Sequence, residues 1–274
     1  MAHDLTTIHG SGRIAVFYLH GGGLLYGERD DLPARWVDML CGAGYELICA
    51  DYPLAPECAL PQIVESVMET WRESVGERLD AGELDGYFLF GRSAGGHLAL
   101  MLAREIERRG GTRPLGILDF YGYPGLVDPS FSEPTAAYAK LPSVDADQVA
   151  RIAGGETVTS GPKALRYALY VRARQVPGEW LRLMGLDGSA PERTPEAWSL
   201  TAQDIAALPP LFACGSTADE DVPYGVGKRF ARSCPKAVFK TVYDLPHDFD
   251  RDTSCEAAAK VYEATLAWMA KQRA

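Results

Sequence analysis

The chain has 274 residues, enough to bury one large core in a single domain. Its 47% apolar and 23% charged content is that of an ordinary globular protein. A formal net charge of −10, from 27 basic and 37 acidic residues, argues against nucleic acid or an anionic membrane as partner.

Apolar, β-rich runs are predicted as strands at 14–19, 45–50, 87–90, 115–120, 210–214 and 238–243. Between them lie helical periods. Asp31 reads as an N-cap and Pro33 as an early-turn proline for a helix carrying Trp36, Val37 and Leu40, with Gly44 near its end. Val64, Val67, Met68, Trp71 and Val75 share one helix face, as do Leu98, Met101, Leu102 and Ile106. Ala258, Val261, Tyr262 and Met269 mark the last helix. Strands apolar throughout, alternating with amphipathic helices, predict an α/β fold with a mostly parallel sheet covered on both faces.

The region from about 126 to 205 contains no convincing strand. It holds a long helical candidate at 163–176 and a shorter one around Trp180 to Met184, punctuated by Gly154-Gly155 and Ser160-Gly161-Pro162. We read it as a helical cap inserted into a single domain and packed over the sheet edge.

No run of eighteen apolar residues exists, so no membrane-spanning helix is expected. The opening "MAHDLTTIHG" has neither a basic nor an apolar leader region, so no secretory signal is expected. Cys41, Cys49, Cys58, Cys214, Cys234 and Cys255 form no C-x-x-C pair and read as reduced thiols. That pattern predicts a cytoplasmic protein without zinc or disulfide staples.

Gly91-Arg92-Ser93-Ala94-Gly95 falls between a predicted strand and a predicted helix, the context in which G-x-S-x-G presents a nucleophilic serine. A serine hydroxyl needs a base. Of five histidines, His3 and His9 precede the first predicted strand, His97 lies one turn into a helix, and His20 belongs to a glycine cluster. His247 remains, in "VYDLPHDFD" directly after the last predicted strand. An acid must orient that base. Asp219, Glu220 and Asp221 follow the strand at 210–214; Asp219, the earliest, is the choice, and Asp221 a substitute. The chain order Ser93, Asp219, His247 is that of α/β-hydrolases rather than of other serine-triad folds.

In "FYLHGGGLLYG" an apolar strand runs into three consecutive glycines. Gly21 and Gly22, with Ala94 after the nucleophile, are the expected oxyanion hole, because backbone without Cβ lets N–H groups approach a substrate closely. Tyr121, Tyr123, Tyr167, Tyr170 and Trp180 are candidates to line a pocket.

"HGGG" at 20–23, "DYPLAPE" at 51–57, "GRSAGG" at 91–96, the acidic loop at 219 and His247 together resemble the hormone-sensitive-lipase-type carboxylesterases of the α/β-hydrolase superfamily. The likeness covers about 14–125 and 205–250. It implies that His20 is a structural member of the glycine motif, and that Asp51 to Glu57 shape the loop after the second predicted strand. Departures are Arg92, where an acid usually adjoins the nucleophile, the "DEDVP" acid loop, and Asp248, where glycine is common.

The expectation is a serine esterase for small, short-acyl esters, needing neither metal nor cofactor. The same residues suit amides, formamides or carbonates. A ligand receptor on a hydrolase scaffold is the reading from another class, although such receptors usually lack a triad member.

Overall fold

A computed structural model describes residues 5–153 and 155–273; His3 and Gly154 lie outside them. Among the described residues the strands are β1 (Thr6–His9), β2 (Ile14–Leu19), β3 (Glu46–Ala50), β4 (Gly86–Arg92), β5 (Gly116–Phe120), β6 (Leu211–Ser216) and β7 (Ala237–Val242). They form one sheet in the order β1-β3-β2-β4-β5-β6-β7. Every pairing is parallel except that of β1 with β3. The six predicted strands are β2 to β7. β1 is absent from the sequence expectation because "TTIH" is short and largely polar, and its Ile8 points to solvent.

The helices are α1 (Ala34–Gly42), α2 (Leu60–Trp71), α3 (Glu77–Asp80), α4 (Ala94–Arg108), α5 (Ala136–Ala139), α6 (Ala146–Ile152), α7 (Lys163–Gln175), α8 (Glu179–Leu183), α9 (Ala202–Ala207), α10 (Tyr224–Ser233) and α11 (Glu256–Gln272). Two apolar layers sandwich the sheet, and β2 shows why its strand reads as apolar throughout. Ala15, Phe17 and Leu19 face the layer of α2 and α4, while Val16 and Tyr18 face the layer of α1 and α11. The predicted helix faces are buried, from Val64 through Trp71 on α2 to Tyr262 and Met269 on α11.

One helix start differs from expectation. Pro33, not Asp31, precedes α1, and Asp31 closes a short 3₁₀ turn at Arg29–Asp31. Its carboxylate is taken by Tyr18 and Arg92 instead of helix N–H groups.

Residues between β5 and β6 hold α5 to α9 and no strand among the described residues. This insertion sits over the carboxyl ends of β2 and β3. Trp180 Nε1 donates to the Gly23 carbonyl at 2.8 Å, and the Leu54 N–H donates to the Val158 carbonyl at 2.8 Å. All six cysteines are free thiols. No helix among the described residues is long and apolar enough to cross a membrane.

Candidate active site

Ser93 joins β4 to α4 at φ 54° and ψ −120°, a positive φ that a side-chain-bearing residue adopts only under constraint. The flanking glycines make that turn possible. A Cβ on Gly91 would lie 2.0 Å from the Gly95 carbonyl oxygen, and one on Gly95 would lie 2.1 Å from the Leu19 carbonyl oxygen. The strand-to-helix turn is therefore closed to any larger residue at either position.

Ser93 Oγ lies 2.7 Å from His247 Nε2, and His247 Nδ1 lies 2.7 Å from Asp219 Oδ2. With Nδ1–H donating to the carboxylate, Nε2 is left as the acceptor for the serine hydroxyl. The backbone N–H groups of Asp221 and Val222 donate to Asp219 Oδ1, each at 2.9 Å, which orients its other oxygen toward the ring. Asp221 does not reach His247 as a partner; its carboxylate accepts from Tyr138 and Tyr170. Burial acts to lower the His247 pKa. The charge and hydrogen bond of Asp219, helped by Asp221 and Asp248, outweigh it, so the net shift is upward from 6.5.

The glycine loop passes directly beside this group. A Cβ on Gly21 would lie 3.1 Å from the Arg92 carbonyl oxygen and 3.3 Å from Ser93 Cβ. Gly22, at φ 105°, admits no side chain, since a Cβ would fall 1.9 Å from the Tyr26 carbonyl oxygen. Ala94 is the first residue of α4. His20 is wholly buried, with Nδ1 bonded to the Gly21 carbonyl at 2.8 Å and its ring stacked 4.1 Å from Tyr52. Burial keeps it neutral, and the same holds for His97, whose pKa is pushed down to about 4.

Ser93 and His247 open onto a cavity of about 650 Å³. Tyr121, Tyr167 and Tyr170 line it, together with Tyr26 and Tyr138, which the sequence analysis did not single out. Tyr26 follows the glycine cluster closely, a usable hint; Tyr138 sits on a four-residue helix with no periodic signal. Tyr123 and Trp180 are corrections, for both stand behind the wall. Tyr123 is fully buried with its ring stacked on His97, and Trp180 is edge-on to Tyr170 while its N–H is spent on Gly23.

A family model described as the alpha/beta hydrolase fold matches residues 16–249. The chain belongs to the α/β-hydrolase superfamily. It is similar to the crystal structure of an α/β-hydrolase superfamily protein from Enterococcus faecalis, at 30% identity and a TM-score of 0.82, covering 96% of this chain and 94% of that one. It matches a non-reducing polyketide synthase, adrD, of Penicillium rubens at 35% identity over 146 residues, which is 50% of this chain but 6% of the synthase. An esterase of Acinetobacter venetianus is 24% identical over 103 residues, 38% of this chain and 33% of that protein.

In this α/β-hydrolase the residue before Ser93 is a buried cation. Arg92 donates from Nη2 to Asp250 Oδ1 at 2.8 Å and from Nε to the Tyr121 hydroxyl at 2.7 Å. Tyr121 and Tyr262 in turn donate to Asp250, at 2.6 and 2.8 Å. Burial opposes the Arg92 charge, but Asp250, Tyr121, Tyr18 and Asp31 more than offset it, so the guanidinium stays ionised. Asp250 is fully buried and escaped the sequence analysis, where it was one of several aspartates after His247. The signal available was Arg92 itself, because a cation at the end of an apolar strand requires a carboxylate once it is buried.

Proposed function

We propose that this chain is a serine carboxylesterase acting on small, short-acyl esters. The observation carrying that reading is the hydrogen-bonded series Ser93–His247–Asp219 opening onto a cavity beside a glycine loop whose Gly22 admits no side chain. His247 Nε2 accepts the Ser93 proton as Oγ attacks the acyl carbon. The carbonyl electron pair moves onto oxygen, and the N–H groups of Gly21, Gly22 and Ala94 are the donors we assign to that oxyanion. One such donor is worth roughly 2.7–4 kcal/mol of barrier. Collapse of the adduct breaks the ester C–O bond, and the alkoxide leaves with the proton from His247. Water, deprotonated by the same imidazole, then releases the acid and restores Ser93.

The similarity to an esterase supports the reaction class. The tyrosines and charged side chains that line the cavity favour a short acyl group. The six free thiols suit a reducing compartment, and we assign the enzyme to the cytoplasm. Hydrolysis of p-nitrophenyl acetate by the wild type and its loss in Ser93→Ala test the nucleophile. Retention of wild-type rates in that variant overturns it, and faster cleavage of long-chain esters or of the matching amide overturns the substrate assignment.

A further inference from the structure

The cavity continues past the catalytic histidine. A smaller recess of about 240 Å³ shares Tyr138, Tyr167, Asp221, His247 and Asp248 with it and adds Glu220. The three carboxylates are the charged groups on its walls, with no lysine or arginine lining it among the described residues. Asp248 has a cation of its own, Arg251 Nε at 2.5 Å. Asp221 does not. Its Oδ1 accepts from Tyr170 at 3.0 Å and its Oδ2 from Tyr138 at 3.1 Å, while Arg174 reaches only its backbone carbonyl. Two neutral hydroxyls thus hold a carboxylate in place without a cation among the described residues, beside tyrosine rings of the kind that also attract a positive charge.

The position of the recess says which part of a substrate meets it. His247 Nε2 must hand its proton to the leaving oxygen, so that oxygen lies within hydrogen-bond reach of the ring and the alcohol chain continues past His247. The net charge of −10 adds a field that draws cations inward.

We infer that the preferred ester carries a positively charged nitrogen on its alcohol portion, seated in this recess against Asp221 and the rings of Tyr138 and Tyr167. The inference rests on the esterase reading and deepens it. The test is kcat/KM for acetylcholine relative to 3,3-dimethylbutyl acetate, which has the same shape with carbon in place of the charged nitrogen. A preference on the order of tenfold for the cation is expected, shrinking as salt is raised. Asp221→Asn should bring the ratio several-fold closer to one, and Glu220→Gln less so. Any damage to the triad cancels, since both esters share it.

Turnover of p-nitrophenyl acetate with a cation ratio of one or below overturns the inference and leaves the esterase reading standing. A preference confined to alanine methyl ester over methyl propionate puts the charge on the acyl side and overturns it too. Choline titrated calorimetrically is the readout independent of turnover. Choline bound by wild type but not by Asp221→Asn, with no ester cleaved, upholds the recess and removes the esterase reading. Absence of both hydrolysis and choline binding overturns both. Should Asp221→Asn fail to fold, the wild-type cation ratio and its fall with added salt decide the inference by themselves.

Discussion

Asp219 and His247 act on each other through a single 2.7 Å contact, and its loss has a predictable sign. A base must be neutral to accept the Ser93 proton, and the His247 pKa is raised. So kcat/KM for an aryl acetate should fall with pH through a midpoint above 6.5, the ordinary histidine value. A midpoint at or below that value counts against Asp219 as the partner. In Asp219→Asn the burial of the ring is no longer opposed by that charge, so the midpoint should move downward while kcat drops on the order of 10⁴-fold. Gly22→Ala is the matching test of the glycine loop. Its Cβ would meet backbone at 1.9 Å, so the loop must shift, and we expect kcat to fall roughly 10²-fold or more as a donor is displaced.

One side chain ties the insertion to the loops after β2 and β3 by four hydrogen bonds. Arg166 on α7 forks onto both oxygens of Glu57, each at 2.9 Å, and donates to the carbonyls of Leu25 and Ala55, each at 2.7 Å. Both partners are almost completely shielded, with 5% and 2% side-chain exposure, so the pair cannot be replaced by water when one member is removed. Arg166→Ala should lower unfolding free energy by about 3–5 kcal/mol, measured by urea titration. A cost below about 1 kcal/mol would mean that α7 is held by its other contacts. The same contact explains why the "DYPLAPE" loop ends in a glutamate. Glu57 is the anchor for a helix more than a hundred residues later. α7 also supplies Tyr170, whose ring occupies the space that a Cβ on Gly23 would need, at 2.3 Å.

Asp250 connects parts of the molecule that are distant in sequence. Through it, and through Arg92, the end of β4, Tyr121 after β5, the loop carrying His247, and Tyr262 on α11 share one buried network. Tyr18 on β2 and Asp31 join from the other side. The ring of Tyr121 stands edge-on to His247, with centroids 4.7 Å apart, so the network adjoins the imidazole as well as the serine turn. Asp250→Ala leaves Arg92 charged and buried without its main partner. We expect about 3–5 kcal/mol of destabilisation, read as a fall in Tm of roughly 10 °C or more. Asp250→Asn, which removes the charge but keeps the shape and one acceptor oxygen, should lose less. Equal losses in the two variants would show that charge rather than shape matters there.

Short-range physics is what the chain makes legible by itself. Apolar runs such as "IAVFYL" and the helix face from Val64 to Val75 identify buried strands and helices, because periodicity records which sides of an element avoid water. The glycines around Ser93 declare a turn too tight for side chains, and the same logic extends to Gly22. Four-residue β1 stayed hidden, since its place at the edge depends on pairing with β3 and on no apolar signal of its own. Only the tertiary structure decided that Asp219 faces His247 while Asp221 faces two tyrosines, two residues apart on one acidic loop. It alone turned Tyr123 inward and Tyr138 toward the cavity, and matched Arg92 with Asp250 across 158 positions. The reason is that local pattern sets how deeply a residue is buried, whereas the partner of a buried charge or hydroxyl depends on where the rest of the chain arrives.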